Sequence, residues 1–429
     1  MIQLIKGFKD ILPGEVEIRQ QIEKVARSLF EDFGFKEIRI PILERTELFA
    51  RSIGEDTDIV EKEMYTFPDR KGELITLRPE ATASVVRSYI QHKLYAKDPV
   101  QKFYTIGPMF RRENPQKGRY RQFYQINAEV FGVGSPLIDA QLIMMLVTLC
   151  NRLSVTDVIP IINSLGCKDC RPGFKAALSD FLSTVSGDLC SNCRKRQHRN
   201  PLRVLDCKVP SCRKVLVDAP SILDYLGTDC RQQFELLKET LEKLNVPYEV
   251  DKNLVRGLDY YTRATFEIQT GSLGAQSAVA GGGRYDGLAV AGGGRYDGLV
   301  KALGGPDIPA TGFAIGFDRL AEISGLKRSA FIKKPDIFIA ALGEEAQTIA
   351  FEWTCKLGLQ RVQTEMDMEN RSLKSQMKRA DRLGAKFVLI VGEDEIEKNE
   401  VILRDMTTKE QILVPLENLV ENVIKKINR

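Results

Sequence analysis

The sequence predicts an α+β fold in two parts. A large domain with an antiparallel-rich sheet spans residues 1–325, with an insertion at about 166–250, and a smaller α/β domain spans 334–429. Three observations predict it. Strand-like and helix-like segments alternate up to residue 132 without the regular βαβ rhythm of a parallel sheet. Seven of the nine cysteines fall between Gly166 and Val250, within helical runs unlike their flanks. A self-contained strand–helix pattern then follows Pro335.

Each element follows in order. Val16, Ile22, Val25, Ala26, Leu29 and Phe30 recur at helical spacing up to Gly34. In FKEIRIPIL, Ile38, Ile40 and Ile42 alternate with polar residues or Pro41, which reads as one strand at an edge or bulge. MYTFPD and ELITLRPE read as a hairpin-like pair, and ATASVVRSYIQHKL as a helix. Residues 100–112 and 119–132 read as two strands around the polar loop Glu113–Gly118. After the insertion, LVRGLDYYTRATFEIQ returns to strand character. A boundary is expected near Ser324–Lys334. The C-terminal pattern is strand Asp336–Leu342, helix Glu344–Leu357, strand Gln360–Thr364, helix Leu373–Leu383, strand Phe387–Val391, a short hairpin and helix Leu416–Ile427.

Bulk properties exclude several classes. Among 429 residues, 62 Lys and Arg face 58 Asp and Glu, so nucleic-acid contact requires local basic patches rather than a polycation. No stretch approaches the about 18 uncharged apolar residues of a membrane span, and MIQLIKGFKDILPGE lacks a signal-peptide core. The cysteines are then expected reduced or metal-bound, in the cytoplasm.

AVAGGGRYDGL occurs at 278–288 and again at 289–299. Eleven identical residues back to back indicate a tandem duplication, too short and solitary for a solenoid. GGGRYDG has neither the Lys-Ser/Thr of a P-loop nor dinucleotide-fingerprint spacing. Its glycines permit close backbone approach to a ligand or a neighbouring strand.

The densest polar constellation is FRRENPQKGRYRQFYQINAEVF, 110–131. Phe123, Gln125, Asn127 and Glu129 alternate, so they share one sheet face, and Arg111 on the facing strand joins them. A buried face carrying Gln and Glu is unusual unless it lines a site. Arginine grips phosphate oxygens, and a phenylalanine stacks on a base. The competing reading is a solvated hairpin. RGLDYYTRATFEI, with Arg256, Asp259, Tyr260 and Tyr261, fits a polar ring-bearing ligand or an ordinary loop. Cys167-x-x-Cys170 and Cys190-x-x-Cys193, 19 residues apart, have zinc-site spacing, with Cys207 and Cys212 as alternatives. The competing reading is inert reduced thiols, as expected of Cys150, Cys230 and Cys355. Arg371, Lys374, Lys378 and Arg382 form one basic helix face, which is solvated or binds phosphates. His92 and His198 show no partners in sequence and read as ordinary residues.

Together these segments resemble class II aminoacyl-tRNA synthetases of the histidyl family. GFKEIRIPILE resembles their first motif, FRRENPQKGRYRQF the second and ATGFAIGFDRL the third. RGLDYYTR and GGGRYDGL resemble the histidyl signature peptides, and LRPEATA is similar too. The resemblance runs from residue 6 to the C-terminus. It implies a class II catalytic core followed by an anticodon-binding domain, and ATP-dependent joining of L-histidine to tRNA(His) through a histidyl-adenylate, with Mg²⁺, in a homodimer. It assigns Arg111 and Arg256 to the α-phosphate, Glu113 to the adenine amino group, Phe123 to stacking and Arg319 to the terminal phosphates. Glu80, Ala81, Thr82, Arg111, Gln125, Glu129, Arg256, Tyr260 and Tyr261 line the histidine pocket. Gln116, Lys117 and Arg119 face the acceptor end, while Arg371, Lys374 and Lys378 face tRNA phosphates. Zinc is not implied by the resemblance.

Spacing to Arg256 and Arg319 lets either repeat copy occupy the site, so the other is expected to loop out. Two rivals remain: a catalytically silent paralogue regulating ATP phosphoribosyltransferase, and a sensing module of a larger assembly. The C-terminal module and intact Arg111, Arg256 and Arg319 weigh against the first. The lack of an attached partner domain weighs against the second.

Overall fold

A computed structural model describes residues 1–54, 57, 59–115, 119–255, 260–270 and 288–427. The chain divides into two compact units, Met1–Ala330 and Phe331–Arg429.

The first unit is built on an eight-stranded sheet. Its strands, in chain order, are β1 (Lys36–Glu37), β2 (Gln101–Phe110), β3 (Gln122–Phe131), β4 (Val158–Ser164), β5 (Glu249–Val250), β6 (Thr262–Thr270), β7 (Leu288–Arg295) and β8 (Ala310–Gly316). They lie in the order β1-β2-β3-β8-β7-β6-β4-β5. The six central strands pair antiparallel, and short parallel pairings at β1 and β5 close the edges. The helices Val16–Asp32 and Leu137–Arg152 pack on each other and on this sheet, the first through Phe30, whose ring meets Tyr104 of β2 and Phe313 of β8. The first follows from its apolar stripe, which buries Ile18, Ile22, Ala26, Leu29 and Phe30.

The reading of FKEIRIPIL as one strand is corrected. Only Lys36–Glu37 joins the large sheet, and Leu43–Arg45 pairs instead in a separate three-stranded sheet with Tyr65–Pro68 and Leu74–Leu77. Pro41 has no N–H to give. The Arg78 guanidinium takes the carbonyls of Ile40 at 2.7 Å and Pro41 at 3.2 Å, so this backbone is satisfied by a side chain rather than by a strand.

The repeat resolves in favour of its second copy. Residues 289–295 lie in β7, paired with β6 and β8; of the first copy, 278–288, only Leu288 is described, at the start of β7, and residues 278–287 lie outside the described residues. Its glycines serve strand approach. A Cβ on Gly293 would lie 2.2 Å from the Gly312 carbonyl and 2.7 Å from the Phe266 ring, distances no side chain tolerates.

Behind the sheet, Arg295 and Asp139 form a fully buried ion pair at 2.7 Å. Arg295 also donates to the carbonyls of Val133 (3.1 Å) and Ser135 (2.6 Å), and Thr311 donates to Asp139 at 2.8 Å. The pair locks the helix Leu137–Arg152 to the sheet.

The second unit is a five-stranded sheet in the order 364–366, 337–341, 387–391, 400–405, 411–415, with its first three strands parallel. Trp353, Leu357, Leu419 and Val423 from two helices pack against Ile337, Ile339 and Leu389 of the sheet. The strand expected at Gln360–Thr364 begins only at Thr364. The preceding helix runs to Leu359, and Arg361 turns the chain at φ +63° before the strand starts.

Candidate active site

β3 is the spine of the site. Phe123 and Gln125 open into a cleft of about 480 Å³, whose lining includes Arg111, Glu113, Arg119 and Arg319. This volume suits a nucleotide-sized ligand. Arg111 is held by its Nε–H donating to the Pro79 carbonyl at 2.9 Å, and its guanidinium lies 5.2 Å from the Phe123 ring centre. Glu113 stands between two cations, 3.8 Å from Arg111 and 3.9 Å from Arg119. Arg119, expected at the tRNA end, thus shares the cleft with the nucleotide candidates.

The opposite wall is set by Asp318. It accepts the Tyr124 backbone N–H at 2.9 Å and pairs with the buried Arg19 at 2.5 Å. These contacts fix the start of the helix Phe317–Ile323, from which Arg319 reaches the cleft.

Farther along β3 lies a buried cluster around Glu129. Its carboxylate accepts hydrogen bonds from Thr82 Oγ1 at 2.8 Å and from the Tyr296 hydroxyl. It can bend there only because residue 312 is glycine, since a Cβ would lie 1.9 Å from Glu129 Oε2. Desolvation pushes its pKa up to about 8, the two hydroxyls oppose the shift and neighbouring Glu80 adds to it. Glu80 is also buried. Its carboxylate accepts the N–H groups of Thr82 and Ala83, both at 2.8 Å, and so caps the helix Thr82–Gln91. Burial raises its pKa, against those backbone bonds and the charge of Arg111. The Tyr260 ring packs on Tyr261 at 4.7 Å and edge-on to Tyr296 at 5.7 Å between centres. Desolvation and the nearby Tyr261, Glu80 and Glu129 hold its hydroxyl firmly protonated. Gln125 Oε1 and both polar atoms of Asn127 are buried without a hydrogen-bond partner. On a strand beside a cleft, such atoms are prepared for a polar ligand or water.

The expected residues therefore fall into groups. Glu80, Ala81, Thr82, Arg111, Glu113, Arg119, Phe123, Gln125, Glu129, Tyr260, Tyr261 and Arg319 gather in the first unit around β3. Arg256, Gln116 and Lys117 lie outside the described residues. Arg371, Lys374 and Lys378 are exposed in the second unit, where Arg371 pairs with Asp367 at 3.3 Å. Sequence reasoning missed Tyr296, Glu267, Arg203 and Asp206. Tyr296 sits in the quoted GGGRYDGL, so its motif was the available signal. Glu267 lines the cleft from β6, and Arg203 and Asp206 line it from the insertion, with no local pattern to single them out.

One set of expected partners is corrected. Cys167 and Cys170 do not join Cys190 and Cys193. The former pair groups with Cys230, the latter with Cys207 and Cys212. Spacing in the chain defines each C-x-x-C pair but not which other elements close on it.

An antiparallel core with an arginine and an aromatic on one wall and an arginine on the other has the arrangement expected of a class II aminoacyl-tRNA synthetase catalytic unit, and comparison with known proteins shows that class. The family profile described as Histidyl-tRNA synthetase matches residues 7–289, and one described as Anticodon binding domain matches 336–426. A protein of Desulfatibacillum aliphaticivorans named Histidine--tRNA ligase is 60% identical over 429 residues, all of both chains. One of the same name from Desulforapulum autotrophicum is 60% identical over 99% of this chain and 98% of its own. The crystal structure of apo S. aureus histidyl-tRNA synthetase superposes with a TM-score of 0.79 at 35% identity, covering 98% of this chain and 99% of that one. The chain belongs to the histidyl-tRNA synthetase family.

Proposed function

We propose that this chain joins L-histidine to tRNA(His) in two steps, with ATP in the cleft and the amino acid against Glu129. The observation that carries the reading is the continuity of one strand. β3 presents Phe123 and Gln125 to a nucleotide-sized cleft and Glu129 to a buried polar pocket. A ligand spanning both places a carboxylate beside a phosphate.

The first step is in-line attack of the histidine carboxylate on the α-phosphorus, expelling pyrophosphate. The carboxylate is already ionised, so no general base is needed, and catalysis is positioning and charge neutralisation. Arg111 serves the α-phosphate, joined by Arg256, and Arg319 the terminal phosphates. Phe123 stacks on adenine, which requires the Arg111 guanidinium to leave the ring face as it turns to phosphate. Glu113 takes the adenine amino group. Mg²⁺ bound to the nucleotide phosphates would supply further positive charge beside Arg111 and Arg319. Glu129, Tyr260 and Tyr296 face the imidazole, whose two nitrogens need separate partners. Side chains of similar shape leave those groups unpaired. Glu80, Ala81, Thr82, Gln125 and Tyr261 complete the pocket.

Transfer to tRNA follows. Gln116, Lys117 and Arg119 are assigned to the acceptor end, and Arg371, Lys374 and Lys378 to phosphates of the anticodon arm. The class implies a homodimer, and the cytoplasm is the proposed location. No helix of the described residues is long and apolar enough to cross a membrane. The regulatory reading is not favoured. The structure from Bacillus halodurans titled an ATP phosphoribosyltransferase regulatory subunit/histidyl-tRNA synthetase shares 18% identity at a TM-score of 0.65, a likeness of fold alone.

Histidine-dependent ATP–pyrophosphate exchange tests the proposal. Wild-type protein exchanges with histidine and with no other amino acid. Arg111→Ala lowers kcat by about 10²–10³-fold, the scale of losing one preorganised charge partner. Deleting residues 278–288 leaves exchange within about twofold, because 289–299 supply all of β7 but its first residue, Leu288, together with Tyr296. Absence of exchange in both the full and the shortened chain sinks the reading.

A further inference from the structure

The insertion gathers four cysteines from three elements. Cys190 and Cys193 open the helix Ser191–Arg199, Cys207 follows the short helix Leu202–Leu205, and Cys212 lies in the helix Pro210–Leu216. Their sulfurs all lie within 4.8 Å of one another, and Cys190 and Cys207 are 3.9 Å apart. A tetrahedron of thiolates around zinc at 2.3 Å has edges of about 3.8 Å. The Cys190–Cys207 separation of 3.9 Å matches that figure, and the other sulfurs, all within 4.8 Å, can close to it with small shifts. Two disulfides would instead show two close pairs at about 2.05 Å.

The backbone is arranged for thiolates. The Cys190 N–H donates to Cys212 Sγ at 3.1 Å, and the Cys193 N–H to Cys190 Sγ at 3.5 Å. Cys193, Cys207 and Cys212 are buried. Four thiolates and one divalent ion carry a net charge of −2, and Arg194, Lys195, Arg196, Lys208, Arg213 and Lys214 flank them in sequence. The other group, Cys167, Cys170 and Cys230, has three thiols, and no fourth ligand atom joins them within the same distance among the described residues.

We propose that Cys190, Cys193, Cys207 and Cys212 bind one Zn²⁺ as a closed structural site that fixes the segment carrying Arg203 and Asp206. Those two residues line the nucleotide cleft, and Cys207 follows Asp206 directly. Binding releases the thiol protons, leaves the metal no open position and requires no oxidant. The metal thus holds a wall of the active site without touching substrate. This last consequence rests on the ATP reading of the cleft.

Metal analysis of the full chain, purified without chelator, tests the site independently of activity. Wild type carries one more zinc per chain than Cys212→Ser or Cys193→Ser, Cys212→His keeps that zinc, and Cys355→Ser matches wild type. Should the serine variants not fold, metal-stripped wild type is titrated with Co²⁺. A thiolate charge-transfer band then saturates at one equivalent, and Cys190, Cys193, Cys207 and Cys212 together become protected from alkylation. Zinc-depleted protein shows an ATP KM raised several-fold, with the histidine KM little changed. Equal zinc in wild type and Cys212→Ser, iron in place of zinc, disulfide-linked peptides, or unprotected thiols with Co²⁺ would each overturn the proposal. An unchanged ATP KM with zinc bound and lost as expected overturns only the link to the cleft.

Discussion

Two neighbouring residues of one motif, Arg295 and Tyr296, reach two buried carboxylates of opposite character. Arg295 pairs with Asp139, and Tyr296 bonds Glu129. Both acids are fully buried, and both have raised pKa values. Asp139 is pushed up only to about 6, because a guanidinium and the Thr311 hydroxyl oppose the desolvation. Glu129 reaches about 8, because its described partners are two hydroxyls and a second carboxylate raises it further. Asp139 is therefore held closer to its charged form, as a structural partner of Arg295, while the surroundings of Glu129 favour its protonated form. Burial alone does not mark a functional acid. The absence of a matched cation among the described residues does so more sharply.

The largest expected effect would break the structural half. Arg295→Ala strands a buried carboxylate and should cost about 3–5 kcal/mol of stability. Chemical denaturation measures it, and a loss under about 1 kcal/mol would show that Asp139 finds another partner.

Glu129→Gln should do the reverse. The amide is nearly isosteric with the protonated acid, so folding stability near neutral pH changes little. Histidine-dependent exchange should fall by about 10²-fold or more, since the site loses the negative charge that binding recruits. Retained histidine affinity would remove Glu129 from the pocket.

The pH dependence sharpens the same contrast. Folded Glu129 keeps its proton up to about 8, whereas its ordinary value is 4.5. The folded state then binds more protons than the unfolded state between those values. Its stabilising contribution is complete below 4.5 and is lost as pH rises through about 8. Thermal unfolding across this window should show that decline, and Glu129→Gln should flatten it. Binding of histidine should release a proton from Glu129, seen by calorimetry in buffers of different ionisation enthalpy. Proton release unaltered in Glu129→Gln would assign it elsewhere.

The smallest effect is Tyr296→Phe, which removes one hydrogen bond to Glu129. A loss of about 1 kcal/mol, or roughly fivefold in histidine KM, is expected, with the stability set by Arg295 unchanged. A collapse of folding would mean that residue 296 belongs with Arg295 instead.

The sequence by itself determined the fold class and the family, and it named most of the residues that the structure gathers around β3. Alternation along 122–131 put Phe123, Gln125, Asn127 and Glu129 on one face because a strand has a period of two, which needs no tertiary information. The helix at 373–383 and the strand at 387–391 were legible for the same kind of reason. Tertiary structure decided what local pattern cannot encode. It ended the Ile38–Ile42 strand by spending the backbone carbonyls on Arg78, and it seated the second repeat copy in the sheet. It turned Arg295 away from the pocket to Asp139 and brought Arg203 and Asp206 from the insertion to the cleft. It also sorted the cysteines, joining Cys190 and Cys193 to Cys207 and Cys212 rather than to Cys167 and Cys170. Spacing along a chain fixes which residues are neighbours on one element. Which distant element closes on them is set by packing and by the need of every buried charge and thiol for a partner.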